Sequence, residues 1–151
     1  MVIKMKQIVN KMELSFPSRS VNEAFARGAV TSFVLSLDPL VTELNDLKTA
    51  VSEAVTNAIV HGYRDTIGTV YITAKILADN RVVVKIRDRG CGIPDIEKAM
   101  EPLYTTGGEE RAGLGFAVMQ SFCDRVRVSS APGRGTTVTL TKQFAPRNDG
   151  E

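Results

Sequence analysis

The sequence has little of the residue types that define several functional classes. Its 151 residues include two cysteines and a single histidine. Two cysteines are too few for a disulfide scaffold, and Cys91 and Cys123 lack the spacing of metal ligands. His61 has no partner at the spacing of a catalytic triad or a metal site, so we expect it to be a helix-end residue without a chemical role.

Long apolar runs and a strong charge imbalance are also missing. No run approaches the roughly 18 residues that span a bilayer, and no signal-like segment precedes the cysteines. These absences predict a soluble, cytoplasmic protein without a membrane partner. Lys and Arg number 19 against 17 Asp and Glu, a net charge of +2. This balance argues against an obligate polyelectrolyte binder and predicts no direct nucleic-acid partner, although backbone groups could still hold one nucleotide.

The chain shows no internal repeat and no low-complexity linker, which predicts one domain over residues 1–151. A chain of about 150 residues buries roughly 70% of its unfolded surface, enough for a core without disulfides. We expect residues 1–11 to form a loose lead-in and residues 144–151 a polar tail.

Two helices are predicted in the first half. The first covers residues 20–37, because apolar residues recur at every fourth position and form one stripe. Asp38-Pro39 suits the start of the second helix, with Asp as cap, and Gly62 suits its C-cap after His61. The expected buried stripe of the first helix is Val21, Phe25, Ala29, Phe33 and Leu37.

Alternation of apolar and polar residues predicts the strands. One short strand covers residues 12–16, and two runs over 70–76 and 82–87 form a hairpin. A short apolar helix follows over 114–122, and a second hairpin covers 125–130 and 136–143. The order predicts an α+β fold, a two-layer sandwich of a mixed, mostly antiparallel sheet with helices on one face.

The glycines are unevenly distributed along the chain. Of 12 glycines, six lie between Gly90 and Gly115. The stretch 89–112 is rich in turn residues, and such a long irregular segment in a compact domain is usually functional or mobile.

Glu53 and Asn57 are four residues apart on the second helix, so they share a face surrounded by apolar neighbours. A carboxylate can accept a proton, and an Asn carbonyl suits a hard cation. Taken alone, the pair is more typical of a solvated helix face or a hydrogen bond between helices, because isolated polar pairs are common on helices.

Two glycine motifs follow. Asp88-Arg89-Gly90-Cys91-Gly92 ends a strand, where glycines permit close approach by a ligand; an ordinary turn is the alternative. Gly113-Leu114-Gly115 opens a helix, whose N–H groups could hold an anion; a flexible joint is the alternative. The chain has neither a dinucleotide fingerprint nor a P-loop.

In order, these motifs resemble the ATP-binding (Bergerat-type) fold shared by gyrase, Hsp90, histidine kinases and MutL. The joint pattern is Glu-x-x-x-Asn on a helix, Asp-x-Gly-x-Gly, Gly-x-Gly and a late Gly-Thr-Thr. Three stretches, 51–63, 102–106 and 113–119, are similar to the anti-sigma factor serine kinases, nearest to those that inhibit the sporulation sigma factor F. The resemblance covers about residues 12–143.

The resemblance implies ATP and Mg²⁺ as cofactors and a role for each matching residue. Asn57 would coordinate the magnesium, Glu53 would be the general base or orient the acceptor hydroxyl, and Asp88 would accept a hydrogen bond from the adenine amino group. Residues 98–112 would form a mobile lid over the nucleotide. Arg111 would be a second catalytic residue that contacts the terminal phosphate or the bound substrate, and Thr137 would line the adenine end. Further nucleotide and phosphate contacts would come from Gly90, Gly92, Thr105, Thr106, Gly113, Leu114 and Gly115.

The resemblance also implies partners. A homodimer would bind a sigma factor, sigma F in the nearest relatives, and would phosphorylate an anti-anti-sigma protein on serine; Arg27 would contact the partner. Three alternatives stay open: a kinase for another sigma factor of the stress sigma-B type, a nucleotide-dependent sigma-binding module with vestigial kinase activity, and the catalytic part of a histidine kinase. The last is disfavoured because no room for a phosphoacceptor helix pair precedes residue 12.

Overall fold

The computed structural model describes residues 7–100 and 109–146, with side chains of the second range described from Gly115 onward. Its strands are β1 (Ile8–Pro17), β2 (Thr69–Leu77), β3 (Arg81–Asp88), β4 (Arg125–Ala131) and β5 (Gly135–Gln143). Its helices are α1 (Asn22–Val34), α2 (Val41–Asn57), α3 (Ile96–Ala99) and α4 (Glu109–Phe122). A 3₁₀ turn (Leu35–Leu37) follows α1, and a π-helical turn (Ala58–Gly62) extends α2.

The described strands form one five-stranded sheet in the order β1-β2-β3-β5-β4. The predicted α+β sandwich and both predicted hairpins are confirmed. Every pairing among these strands is antiparallel, so the expectation of a mixed sheet is wrong in that detail. The reason is that β1 joins the sheet beside β2, antiparallel to it, rather than through a parallel crossover.

The core lies between one face of the sheet and the helices α1, α2 and α4. Strands β2 and β3 bury every second residue, as period-two side-chain alternation requires. Helix α2 buries one stripe against them, including Leu47, Val51 and Ala54. The opposite face of the sheet carries no described helix, and its outward side chains are mostly polar or charged.

The buried stripe predicted for α1 is wrong by one position. Ala26, Val30 and Val34 are the buried residues, whereas Val21 and Phe25 are 75% and 57% exposed. Both faces of this helix are apolar, so four-residue spacing alone could not choose between them. The narrower side chains face α2 and permit close helix packing, while Phe25 packs edge-on against Phe16 with ring centroids 6.3 Å apart.

The boundaries of the other elements differ from the predictions in three places. Residues 8–11 belong to β1 and are not a loose lead-in, since they extend the ladder with β2. Phe144 is fully buried and is not part of a polar tail; its N–H donates to the Asn80 carbonyl at 3.1 Å. Asp38 is not the cap of α2, because that helix begins at Val41 and Asp38 ends the preceding 3₁₀ turn in a left-handed conformation.

None of the helices in the described ranges is both long and apolar enough to cross a membrane.

Candidate functional site

A cavity of about 110 Å³ lies between helix α2, its π-helical turn and the end of strand β3. Apolar side chains form most of its wall, and a few polar groups from Asn57, Asp88 and Thr136 interrupt them. A largely apolar cavity with a small number of fixed polar groups is the usual form of a small-molecule site. The arrangement suits a flat ring whose orientation is set by one or two hydrogen bonds.

Asp88 is the most deeply buried charged group of this cavity, at 6% exposure. It lies at the last position of β3, where Oδ1 accepts a hydrogen bond from the Gly90 N–H at 2.9 Å. Burial raises the pKa of the Asp88 carboxyl above its ordinary value of 3.8, and backbone hydrogen bonds from Gly90 and Thr136 offset part of that rise. An acceptor held in an apolar wall would be stabilised by a ligand that brings an N–H donor.

Glycines allow the chain to pack closely around Asp88. A Cβ on Gly62 would stand 2.8 Å from Asp88 Cγ, and one on Gly90 would stand 2.0 Å from the Gly62 carbonyl oxygen. Gly135, with φ of 98°, lies against the Asp88 carbonyl, where a Cβ would stand 2.2 Å from it. These contacts require glycine for packing of backbone on backbone or on a fixed carboxylate.

The predicted role of Gly90 and Gly92 was to let a nucleotide lie against the backbone. In the structure, both positions also require glycine for another reason, which is close backbone packing. Gly90 packs on Gly62, and Gly92, with φ of 77°, packs on Ala131, where a Cβ would stand 2.1 Å from the carbonyl oxygen. Gly92 lines the cavity as well.

The segment after Asp88 is held from both sides by hydrogen bonds. On one side the Tyr63 hydroxyl accepts from the Arg89 N–H at 2.6 Å and donates to the Thr69 carbonyl at 2.7 Å. On the other side the Ile93 N–H donates to Ser130 Oγ at 2.8 Å. The Cys91 N–H also donates to the Gly62 carbonyl at 2.9 Å. This framework fixes the loop that carries the cavity wall.

The π-helical turn explains how α2 reaches the cavity. Its widened ring is closed by the Tyr63 N–H, which donates to the Ala58 carbonyl five residues back at 3.2 Å. Such turns interrupt α-helices frequently at functional sites. Here the turn brings His61 and Gly62 into the cavity wall. The expectation that His61 is only a helix-end residue therefore missed its position.

Glu53 and Asn57 lie together where α4 crosses α2. A Cβ on Gly115 would stand 3.1 Å from Glu53 Oε2 and 3.3 Å from Asn57 Nδ2, so glycine lets α4 approach both side chains. The predicted pairing of these two residues on one helix face is therefore observed. Asn57 Nδ2 is buried and has no hydrogen-bond partner among the described residues.

The buried Nδ2 donor of Asn57 is the feature that fits a bound nucleotide, whose phosphate oxygens accept hydrogen bonds, while the amide oxygen of the same side chain is the atom that suits Mg²⁺. A buried polar group without a partner costs about 1–3 kcal/mol, so it is expected where a ligand completes it. Mg²⁺ is commonly bound by one or two protein groups together with substrate phosphates and water. Within the described ranges no group of three or more His, Cys, Asp or Glu could hold a metal.

Glu53 also faces a surface depression that it shares with Arg27 of helix α1. The Arg27 guanidinium lies 3.7 Å from Glu23 Oε1, and that carboxylate accepts a hydrogen bond from the Ser52 hydroxyl. Arg27 is thus connected to the residue that precedes Glu53. The sequence predicted only that Arg27 contacts a partner, and it did not indicate that Arg27 lies close to Glu53.

Thr137 does not line the cavity, contrary to the prediction. Side chains alternate along β5, so Thr136 and Val138 face the helices while Thr137 faces the opposite side. Thr136 also pairs with Asp88 across the ladder and lies 2.8 Å from Ser130 Oγ through its own hydroxyl. The position assigned to Thr137 therefore belongs to Thr136.

The prediction that Gly113 opens a helix is also wrong. Helix α4 begins at Glu109, so Gly113, Leu114 and Gly115 lie in its interior, beyond the turn whose N–H groups are free. Thr105 and Thr106 lie outside the described residues, as do the side chains of Arg111 and Leu114 and most of the lid predicted over 98–112.

Sequence reasoning missed several residues of the site. Gly62 and Tyr63 stand in the stretch that carries the family resemblance, but nothing in their spacing indicated contact with the Asp88 loop. Ser130 resembles an ordinary strand residue. One signal was present in the pair Gly133 and Gly135, which marks a tight turn opposite the Asp-x-Gly-x-Gly stretch; the Gly133 N–H donates to the Cys91 carbonyl at 2.7 Å.

Comparison with known proteins gives matches over most of the chain. The family model described as histidine kinase-, DNA gyrase B-, and HSP90-like ATPase matches residues 42–146. An anti-sigma F factor of Thermoanaerobacter sp. (strain X514) is 53% identical over 137 residues, which cover 90% of this chain and 95% of the relative. An anti-sigma F factor of Caldanaerobacter subterraneus subsp. tengcongensis is 55% identical over 134 residues, 88% of this chain and 93% of the relative.

Solved structures share the fold at low sequence identity. The SiaB–SiaC complex from Pseudomonas aeruginosa includes a chain with a TM-score of 0.62 and 13% identity, matched over 90% of both chains. The RsbU and RsbW domains of Rv1364c from Mycobacterium tuberculosis give a TM-score of 0.67 at 20% identity, over 90% of this chain and 32% of that one.

Proposed function

Because this chain belongs to the anti-sigma F factor family, within the histidine kinase-, DNA gyrase B- and HSP90-like ATPases, we propose that it is an ATP-dependent serine protein kinase and anti-sigma factor. It binds and inhibits the sporulation sigma factor F as a homodimer and phosphorylates an anti-anti-sigma protein on serine. The observation that carries the proposal is the buried amide nitrogen of Asn57, which has no hydrogen-bond partner among the described residues and lies beside Glu53, at a cavity that ends in Asp88.

Asp88 and the apolar wall are assigned to the adenine. The ionised carboxylate accepts a hydrogen bond from the exocyclic amino group, while Ile86, Phe116 and Val138 contact the ring. Guanine presents a carbonyl at that position, so the acceptor of Asp88 would face another acceptor. This contrast makes the site selective for ATP over GTP.

Asn57 is assigned to the magnesium, which neutralises phosphate charge when it is bound. Asn57 ends helix α2 and Gly62 ends the π-helical turn that follows it, so adenine and phosphate groups have separate places along these two elements. Asn57 Oδ1 would hold the magnesium, and the Nδ2 donor, which has no partner among the described residues, would donate to a phosphate oxygen. Thr105, Thr106 and Arg111 stay predicted phosphate contacts, whereas Gly113 and Leu114 lie inside helix α4, beyond the turn whose N–H groups are free.

Glu53 is assigned to the acceptor serine. It accepts the proton of the seryl hydroxyl as the serine oxygen bonds to the γ-phosphorus and the bond to the β-phosphate oxygen breaks, releasing ADP. Phosphoryl transfer asks a protein mainly for positioning and charge stabilisation, so orienting the hydroxyl is itself a large part of this role. The depression shared with Arg27 gives the substrate protein a place next to Glu53.

Arg27 and the exposed apolar side chains of helix α1 are assigned to partner contact. Val21 and Phe25 are exposed at the start of this helix, and aromatic residues and arginine are enriched at protein interfaces. Since Arg27 pairs with Glu23 only at 3.7 Å and through a partly exposed contact, a partner carboxylate can replace that pairing at little cost.

The test is transfer of radiolabelled phosphate from ATP to an anti-anti-sigma protein, with Glu53→Gln compared with wild type. We expect transfer to fall by at least about 100-fold, the usual contribution of general acid–base catalysis, with ATP affinity by calorimetry nearly unchanged. Glu13→Gln, on the far face of the sheet, is the matched control and should transfer normally.

Transfer at the wild-type rate by Glu53→Gln would contradict the role of Glu53. A wild-type protein that binds ATP and sigma F but transfers no phosphate would replace the kinase proposal with a nucleotide-dependent sigma-binding module. Inhibition of a sigma-B type factor in place of sigma F would move the protein to the stress-response branch.

A further inference from the structure

The outward face of the sheet carries a regular array of basic and hydroxyl side chains. Strand register aligns its outward residues in three rows across the five strands. The rows are Lys11-Lys75-Val83-Thr141-Arg125, Glu13-Thr73-Lys85-Thr139-Arg127 and Ser15-Tyr71-Arg87-Thr137-Ser129. We call this array the basic sheet face.

Positive charge dominates this face although the whole chain is nearly neutral. Glu13 is the single acidic side chain in these three rows, and it pairs with Lys11 at 3.0 Å. The remaining cations of the rows are Lys75, Lys85, Arg87, Arg125 and Arg127. None of them makes an ion pair with an acidic side chain of the described residues. A net charge of +2 over the chain therefore hides a strong local excess.

The cations are spread over a flat area and are not concentrated at one point. Lys85 lies between two shallow depressions of this face, one bounded by Arg125 and Arg127 and the other by Tyr71 and Arg87. Strands are about 4.8 Å apart, so Lys85 and Arg127, separated by β5, stand roughly 10 Å apart. An extended array of this kind fits an extended anion better than a single phosphate.

The chemistry of the face is that of phosphate contact. Protein interfaces are enriched in aromatic residues and depleted of lysine, which is the reverse of what is found here. Lys, Arg, Thr and Ser are the side chains that contact nucleic-acid phosphates. Tyr71, the lone aromatic side chain of the three rows, already lies under the guanidinium groups of Arg87 and Arg89, 5.4 and 5.0 Å from its ring centroid.

We propose that the basic sheet face binds the phosphate backbone of double-stranded DNA without reading its sequence. Unpaired bases would need stacking platforms, and the one aromatic ring of the three rows, Tyr71, is already covered by Arg87 and Arg89. A five-stranded sheet is also wider than the two-stranded β-ribbon that a major groove admits. The face lies on the side of the sheet opposite the cavity, so the inference is independent of the kinase proposal. It revises the expectation, based on net charge, that no nucleic acid is bound.

The test is fluorescence anisotropy of a labelled 20-bp duplex titrated with the full chain at several salt concentrations. We expect a Kd of about 10⁻⁶ to 10⁻⁴ M near physiological salt, tighter binding at low salt, and no preference between two unrelated duplexes. With about five phosphates neutralised, the plot of log K against log salt has a slope of about −4.5.

Substitutions separate this face from general surface charge. Lys85→Ala with Arg127→Ala should weaken binding equally for both duplexes and make the slope shallower by about 2. Lys48→Ala, an exposed lysine on helix α2, is the matched control and should leave affinity and slope unchanged. ATP affinity and the thermal midpoint, measured on all variants, establish that each is folded.

Several outcomes would overturn the inference. These are the absence of binding to duplex at low salt, a slope that Lys85→Ala with Arg127→Ala does not change, and an equal loss on Lys48→Ala. Tighter binding to polyglutamate would assign the face to an acidic protein, tighter binding to anionic vesicles would assign it to a membrane surface, and tighter binding to single-stranded DNA would assign it to unpaired strands.

Discussion

Gly62 presents its bare Cα to the carboxylate of Asp88, and a Cβ placed there would stand 2.8 Å from Asp88 Cγ. The contact joins the end of helix α2 to the end of strand β3, the two elements that form the cavity. Asp88 cannot move away freely, because its side chain is short and its Oδ1 is bonded to the Gly90 N–H. The position of the carboxylate thus depends on a residue that has no side chain.

Gly62→Ala is therefore expected to displace Asp88. Overpacking of this kind costs about 1–3 kcal/mol, and a shift of the adenine acceptor should weaken ATP binding by about tenfold or more. Calorimetry with ATP and urea unfolding measure the two effects. Gly28→Ala is the matched control: nothing lies within 4 Å of its Cβ, so it should add up to about 1 kcal/mol of stability to helix α1 and leave ATP affinity unchanged. Wild-type affinity in Gly62→Ala would show that the cavity adapts.

Asp88→Asn should change how stability depends on pH. Burial raises the pKa of Asp88 in the folded state, so the folded protein binds the carboxyl proton more tightly than the unfolded chain does. The stability that this proton contributes is complete below the ordinary pKa of 3.8 and is lost as pH rises through the higher folded pKa. The free energy of unfolding of wild type minus that of Asp88→Asn, measured in urea from pH 3 to 8, should fall across that window and then become constant. A difference that rises with pH would contradict this sign.

The strands of the sheet were largely predictable, whereas the side of the sheet that each side chain faces was not. Alternation identified β2, β3, β4 and β5 closely because a half-buried strand needs a period of two. For Thr136 and Thr137, two identical residues stand side by side, so composition cannot decide which one faces the cavity. Only the pairing of Thr136 with Asp88 settles it.

The polar residues of the site were predictable, whereas the hydrogen bonds that hold the site in place were not. Glu53 and Asn57 stand out because polar residues on an apolar helix are unusual. Tyr63 forms hydrogen bonds with Arg89 and Thr69, which lie in other segments of the chain. No local sequence pattern connects these segments, so the hydrogen bonds could not be predicted from the sequence. The basic sheet face was missed for the same reason, because its charged residues lie on strands β1, β2, β3 and β4 and come together only when strand register aligns them.

Asn57→Ala should remove the magnesium dependence of ATP binding. In wild type, affinity measured with Mg²⁺ should exceed affinity measured with EDTA, and in the variant the two values should coincide. Because Asn57 Nδ2 is a buried donor without a partner among the described residues, its removal should not destabilise the ligand-free protein through a lost hydrogen bond. Asn45→Ala, on the same helix α2, should behave as wild type. A metal effect that survives Asn57→Ala would remove Asn57 as a ligand.

The two cysteines should react very differently with iodoacetamide at pH 8. Cys91 is exposed, whereas burial raises the pKa of the Cys123 thiol to about 11, with Lys142 lowering it in part. The thiolate is the reactive species, so roughly one Cys123 in a thousand is competent at that pH. Peptide mass spectrometry should find Cys91 modified and Cys123 intact, and the Cys91→Ser variant should stay unlabelled until urea unfolds it. Equal modification of both cysteines in the folded protein would mean that the C-terminal end of α4 opens faster than its packing implies.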